Sequence, residues 1–260
     1  MKSSSAAFQA WEYRQGGWHA RTVYAPAEQP LTLYLNGQEW VTLLASPHEP
    51  LALALGYLAN EGVVRTPDDV ALARVCGQGR CVDVWLQHSA IPPRPRVRTS
   101  GCGHGLTQED PAQADLSPVP RGGVITPVAV FALLKALQQG SVRYAQSGGL
   151  HAAGLGTPEG RLRWLAEDVG RHNAVDRVRG LAWLAGSPTA GLVLVTTGRI
   201  SAEMALKAVR MGCPVVASRT AATARAVALA RRWGVTLIAY ARARRLRVYT
   251  HPERLHPAPA

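Results

Sequence analysis

Gly191-Leu192-Val193-Leu194-Val195-Thr196 decides the fold class. The apolar run is too short for a helix. Bounded by glycine and by Thr197-Gly198, it reads as a strand covered on both faces. It leads through Thr197-Gly198-Arg199-Ile200-Ser201 into a helix over 203–210, closed by Gly212 and Pro214. The unit then repeats, with a strand over 214–218, a helix over 221–233 ended by Gly234, and a strand over 235–241. Leu246-Arg247-Val248-Tyr249-Thr250 alternates as a final strand. Upstream, Thr126-Pro127 supplies an N-cap and a first-turn proline for a helix that runs through Leu137 and stops at Gly140. This rhythm predicts an α/β fold of three layers.

The first third has a different texture. Leu31-Thr32-Leu33-Tyr34-Leu35 and Trp40-Val41-Thr42-Leu43-Leu44 flank Asn36-Gly37, a dipeptide that accepts the positive φ angles of a tight turn, so they form a β-hairpin. A buried helix starts at Pro50 and closes at Gly62, and a strand pair follows over 72–75 and 81–86. Ile91-Pro92-Pro93-Arg94-Pro95-Arg96-Val97-Arg98 cannot form regular helix, and Ser100-Gly101-Cys102-Gly103-His104-Gly105 is a glycine-spaced loop at the seam between the halves. The expected organisation is a polar, aperiodic, flexible arm over 1–22 and a smaller N-terminal α+β part containing the hairpin over 23–98. A cysteine loop and linker over 99–123, the α/β part over 124–254 and a tail over 255–260 complete it.

The chain has 260 residues, 47% of them apolar and 18% charged, a balance that excludes disordered and fibrous classes. Its formal charge is +12, and only Lys2, Lys135 and Lys207 are lysines, so arginine makes up the rest of the 29 basic residues. Arginine's planar fork suits phosphate, which points to an anionic partner; genome composition with a merely solvated surface is the plainer reading. The N-terminus lacks the apolar run of a signal peptide and no 18-residue apolar stretch occurs, so a cytoplasmic protein with reduced thiols is expected, without a membrane partner.

Cys102 is the most informative single residue. Glycines on both sides leave its sulfur open, and Arg96, Arg98 and His104 nearby favour the thiolate. Cys76 and Cys81 offer two ligands but no second close-spaced pair, so no metal site is expected; Cys213 belongs in the core. In Glu167-Asp168-Val169-Gly170-Arg171-His172-Asn173-Ala174-Val175-Asp176, His172 and Asp176 fall one turn apart if the segment is helical, with Asp168 at the helix entrance. Acid–base work and a plain capped helix start both fit. Gly148-Gly149-Leu150-His151 and Thr197-Gly198 are glycine turns where ligands of open α/β sheets collect. Tyr240-Ala241-Arg242-Ala243-Arg244-Arg245 gathers three arginines and an aromatic at a strand end, either an anion site or a solvated turn. Aromatic residues are only 6% and no nucleic-acid signature occurs, which disfavours a DNA or RNA binder.

Taken in order, these strings resemble the FdhD family of sulfur carriers required for formate dehydrogenase activity. Further anchors are Glu28-Gln29-Pro30-Leu31, Ala54-Leu55-Gly56-Tyr57-Leu58, Glu61-Gly62, Ser201-Ala202-Glu203-Met204 and Val248-Tyr249-Thr250-His251-Pro252-Glu253-Arg254. The resemblance implies a sulfurtransferase in which the loop cysteine, Cys102 here, accepts sulfur from a cysteine desulfurase as a persulfide. The sulfur then passes to the molybdenum cofactor, bis-molybdopterin guanine dinucleotide, before that cofactor enters formate dehydrogenase. The family's cofactor-binding stretch matches Tyr240 to Arg245, so the guanine nucleotide moiety is the expected ligand of Tyr240, Ala241, Arg242, Ala243, Arg244 and Arg245. His104, His151, Asp168 and His172 are the candidates to assist. Many members carry a second cysteine three positions after the first; Gly105 stands there, which leaves a single-persulfide mechanism. The implied fold is a cytidine deaminase-like three-layer α/β domain, but the deaminase zinc signature is absent, so neither deamination nor a resident metal is expected. A non-catalytic cofactor-binding chaperone is the alternative, and a homodimer is left open.

Overall fold

A computed structural model describes residues 5–88, 97–98, 106–107, 111, 114–120 and 123–257. Its largest sheet has six strands in the order β10-β9-β11-β12-β13-β14. These are β9 (His151–Gly156), β10 (Leu162–Asp168), β11 (Val193–Thr196), β12 (Val215–Ser218), β13 (Thr236–Arg242) and β14 (Arg245–Val248). Strands β11, β12 and β13 run parallel, whereas β9 is antiparallel to both of its neighbours and β14 is antiparallel to β13. Alternate strand residues point to opposite faces. Val193, Val195, Val215, Ala217 and Ile238 meet Val130, Leu133, Leu134 and Leu137 of α2 (Pro127–Gly140). Leu194, Val216, Leu237 and Ala239 meet α4 (Arg171–Leu184), α5 (Ala202–Arg210) and α6 (Ala224–Arg232). Helices on both faces make a mixed α/β architecture, and the expected cap of α2 is present, the Ala129 amide donating to Thr126 Oγ1 at 3.1 Å.

The smaller sheet has the order β4-β3-β6-β5. It comprises β3 (Gln29–Leu35), β4 (Gln38–Ala45), β5 (Val70–Cys76) and β6 (Cys81–Leu86), with α1 (Pro50–Asn60) packed on one face. Asn36 and Gly37 turn β3 into β4 with φ of 50° and 78°, as the dipeptide predicted.

Two glycines join the halves. A Cβ on Gly56 of α1 would lie 1.7 Å from the Asp176 carbonyl oxygen, and one on Gly180 of α4 would lie 1.7 Å from that of Ala52, so only glycine lets the two backbones approach this closely. The crossing is tied by polar groups. Asp176 accepts from Asn60 Nδ2 at 2.7 Å and from Lys207 Nζ at 2.5 and 2.6 Å, and Arg179 donates to Asn60 Oδ1 at 2.7 Å.

Three expectations are corrected, and one unread stretch is filled. Residues 5–26 are not an aperiodic arm: β1 (Ser5–Arg14) and β2 (Gly17–Pro26) pair around Gln15 and Gly16, whose φ values are 51° and 80°. Neither face of this hairpin is buried in a core, so no alternation of apolar residues betrays it; Trp11, Tyr13 and Trp18 stay exposed. The tail begins later than expected, because Leu255 is buried against Ile125 and the His256 amide donates to the Ile125 carbonyl. Strands β9 and β10 fill a stretch for which no element was read, between the Gly148-Gly149 turn and α4, both of which stand as expected. Gly154 and Gly156 lie under Leu162 and Leu133, so small residues serve packing there rather than turning. Finally, Cys76 and Cys81 are not separate reduced thiols but a disulfide, since β5–β6 pairing makes them register partners.

Candidate functional site

In an open α/β sheet the carboxyl ends of parallel strands carry ligand-facing loops. Here β11 delivers Thr197, β12 delivers Arg219 and Thr220, and β13 delivers Arg242 to one cavity of about 490 Å³. Its opposite wall is Tyr144 of α3 (Val142–Ser147), the Gly148-Gly149-Leu150 turn and His151. The loops are tied to one another. Thr197 Oγ1 accepts from the Ala152 amide at 2.9 Å, Ser218 Oγ donates to the Gly198 carbonyl at 2.7 Å, and the Tyr240 amide donates to the Thr220 carbonyl at 2.9 Å. Arg219 is steered across the opening by Gln138, whose Oε1 accepts from Nη1 at 2.6 Å.

A second cavity, of about 790 Å³, shares Arg242 with the first and is walled by Phe131, Tyr240, Ala243, Arg244, Arg245 and Arg247. The β13–β14 turn uses Ala243 and Arg244 at positive φ, 49° and 59°, which throws the flanking arginines outward. Tyr240 is also left-handed, at 52°, where the strand register slips, and the Arg247 guanidinium stacks 4.5 Å from its ring centroid. Ala241 departs from expectation: it is buried in the apolar cluster under α2, because the intervening residue of a strand points to the other face.

The titratable candidates separate into two groups. His151, half-buried at the cavity wall, is held below the usual imidazole range by burial and by the charges of Arg171 and His172, partly countered by Asp168. His172, at the N-terminus of α4, meets the N-terminus of α5. Its Nε2 lies 3.1 Å from Ser201 Oγ, which donates to Glu203 Oε2 at 2.5 Å. Because the serine proton points to the carboxylate, His172 Nε2 is the donor to the serine oxygen. Burial opposes ionisation of Glu203, yet the hydrogen bonds from His172 and Ser201 outweigh it and bring the carboxyl down to about 2. His172 is itself lowered by burial, with Lys207 and Arg171 adding to the shift against the Glu203 bond.

Two sequence expectations fail here. His172 and Asp176 do fall one turn apart on α4, but they do not pair, since Asp176 accepts from Asn60 and Lys207 at the α1 crossing. Asp168 does not cap α4 or stand free for acid–base work. It is completely buried, ion-paired with Arg177, and accepts from the Ser46, Gly170 and Asn173 donors at 3.3, 2.9 and 3.1 Å. Cys102 and His104 lie outside the described residues. The short strands β7 (Val97–Arg98) and β8 (Leu106–Thr107) pair antiparallel with Arg98 opposite Leu106. Sequence reasoning missed Arg219 and Thr220, and took Ser201 and Glu203 only as part of a family anchor. The first two follow the strand read over 214–218, so the carboxyl-end rule that singled out Thr197 would have found them.

Among the described residues no group of three or more His, Cys, Asp and Glu side chains could hold a metal ion. Comparison with known proteins places this geometry in a family. The FdhD/NarQ family model matches residues 26–256. The sulfur carrier protein FdhD of Bacillus subtilis (strain 168) is 36% identical over 254 residues, covering 94% of this chain and 95% of its own. The protein of the same name from Nocardia farcinica is 36% identical over 247 residues, covering 90% and 88%. A crystal structure from Desulfotalea psychrophila, provisionally named a formate dehydrogenase accessory protein, superposes with a TM-score of 0.81 at 26% identity over 97% of this chain and all of that one. With an arginine-walled double cavity at the strand ends and a matching model across nearly its whole length, the chain belongs to the FdhD/NarQ family.

Proposed function

We propose that this chain is a sulfur carrier that serves formate dehydrogenase. Cys102 takes sulfur from a cysteine desulfurase and passes it to bis-molybdopterin guanine dinucleotide, held as cargo at the carboxyl-end face. In the first step the Cys102 thiolate attacks the terminal sulfur of the desulfurase persulfide. A new S–S bond forms on Cys102 and the desulfurase cysteine leaves as a thiolate. The observation that carries the reading is the pair of cavities meeting at Arg242, with Arg219, Arg244, Arg245 and Arg247 around them. A cargo with two nucleotide arms and several phosphates needs adjoining cationic walls, and Arg forks grip phosphate bidentately. The names of the relatives support the sulfur-carrier role. The strand order and the helices on both faces support the likeness to cytidine deaminases. No described helix is long and apolar enough to cross a membrane, which is compatible with a cytoplasmic site of action.

Incubation with a cysteine desulfurase and cysteine, followed by mass spectrometry, will find one added sulfur atom on Cys102. Cys102→Ala will abolish maturation of formate dehydrogenase. An adduct confined to the other cysteines, or full maturation with Cys102→Ala, overturns the transfer role and leaves a chaperone that only holds the cofactor.

A further inference from the structure

Cys76 and Cys81 belong to neither cavity and lie in a different sheet from β7 and β8. They face each other at the end of the β5–β6 hairpin with Cα atoms 4.9 Å apart, linked as a disulfide. The connecting residues Gly77, Gln78 and Gly79 all have positive φ, 53°, 55° and 87°, and both cysteines are only half-buried.

Three observations argue that this bond is reactive rather than a staple. First, the hairpin keeps its register without it: Val75 pairs with Val82, Arg74 with Asp83 and Ala73 with Val84. Val82 and Val84 are completely buried, and Arg74 ion-pairs with Asp83 at 3.1 Å. Opening the bond therefore leaves two thiols still juxtaposed. Second, a cross-link between positions only five apart removes less freedom from the unfolded chain than a long-range bond would, because the entropic benefit grows with loop length. Third, the sulfur of Cys81 is reached past a glycine. A Cβ on Gly77 would lie 2.9 Å from Cys81 Sγ, and the exposed Arg80 next to it favours an approaching thiolate.

We propose that Cys76–Cys81 is a thiol–disulfide exchange site whose substrate is a low-molecular-weight thiol of the glutathione class. The thiolate of one small thiol attacks Cys81 Sγ, forming a mixed disulfide. The Sγ–Sγ bond breaks, and Cys76 leaves as a thiolate that takes a proton from solvent. A second small-molecule thiolate attacks the small-molecule sulfur of the mixed disulfide, releasing Cys81 and a symmetric disulfide. Two electrons thus pass from the small thiols to the protein pair, and the oxidised small molecule runs the same steps backwards. Cys213 is the internal contrast, fully buried with its thiol pushed up to about 12 by burial.

The test equilibrates the full chain in glutathione buffers from fully reduced to fully oxidised, quenches with acid, alkylates and digests with trypsin. Cleavage after Arg80 puts the two cysteines on separate peptides that only the disulfide holds together. The linked mass will disappear as reduced glutathione rises, both peptides will carry one alkyl group, and the change will reverse. The reduced form will stay folded, its thermal midpoint lower by only several degrees. Persistence of the linked mass in reduced glutathione until the chain is unfolded overturns the proposal, as does alkylation of both cysteines in fully oxidised buffer. Cys102→Ala will cycle identically, so this inference and the sulfur-carrier reading fail separately.

Discussion

The α1–α4–α5 junction and the β13–β14 end of the sheet use the same kind of side chain in opposite ways. At the junction Arg177 is fully buried against Asp168, and Arg179 and Lys207 reach Asn60 and Asp176. At the sheet end Arg242, Arg244 and Arg245 are exposed on cavity walls. A charge count of +12 treats both groups alike. Desolvation distinguishes them: a buried cation must have an anion beside it, whereas an exposed one keeps its water until a ligand displaces it.

The largest expected effect sharpens that contrast. Asp168→Ala leaves Arg177 buried with only the Ser46 carbonyl, at 3.1 Å, and will cost about 3–5 kcal/mol in urea unfolding. A loss comparable to that of a surface substitution would mean that the ion pair does not hold the halves together. Gly180→Ala drives a methyl into the α1 backbone and will cost about 1–3 kcal/mol by the same measurement, as overpacking does. At the other region, Arg242→Ala and Arg244→Ala will leave the urea midpoint unchanged. Calorimetry will show each weakening guanine nucleotide binding about tenfold, the equivalent of one charge-assisted hydrogen bond. Arg161→Ala, in the turn at the far end of β9 and β10, is the control. Equal losses from all three would make the sheet end an ordinary solvated turn.

The last test is a pH slope at the junction. His48 donates to the Glu167 carbonyl at 2.9 Å, and burial beside Arg177 and Arg143 holds its pKa near 3, against an ordinary value of 6.5. The folded chain thus refuses a proton that the unfolded chain accepts. Stability is complete above about pH 6.5 and falls as the pH drops toward 3, by about 1.4 kcal/mol per pH unit for each such imidazole. Glu203, ionised down to about 2, adds loss in the same direction below its ordinary value of 4.5. His48→Gln will flatten the slope between pH 6 and 4 by about one proton in pH-dependent unfolding; an unchanged slope would assign it to His172 and His151.

Much of the fold was legible because its signals are local. Asn36-Gly37 can only turn, Thr126-Pro127 caps a helix, and Gly212 ends one at a φ of 68°. The β1–β2 hairpin was not legible, since without a buried face it carries no alternation. Strand β9 was hidden because its glycines answer to Leu133 and Leu162 above them. At the site, the Tyr240–Arg245 run and His151 were visible as strand-end residues, and Arg219 and Thr220 were overlooked at an equivalent strand end. The assignments of Asp168 and Asp176 went astray because their partners come from distant parts of the chain, Ser46 and Asn60 being 122 and 116 residues away.

The amino-acid sequence by itself determined the β3–β4 hairpin, the strand–helix rhythm from β11 to β14, the cap of α2, the glycine-flanked Cys102 and the cationic strand end, because each depends on neighbours within a turn or two. Only the tertiary structure decided which arginines are consumed inside and which face the cavities, where Asp168 and Asp176 find their cations, and that Cys76 meets Cys81. Those outcomes depend on burial and on which strands and helices meet, and neither is a property of any short segment.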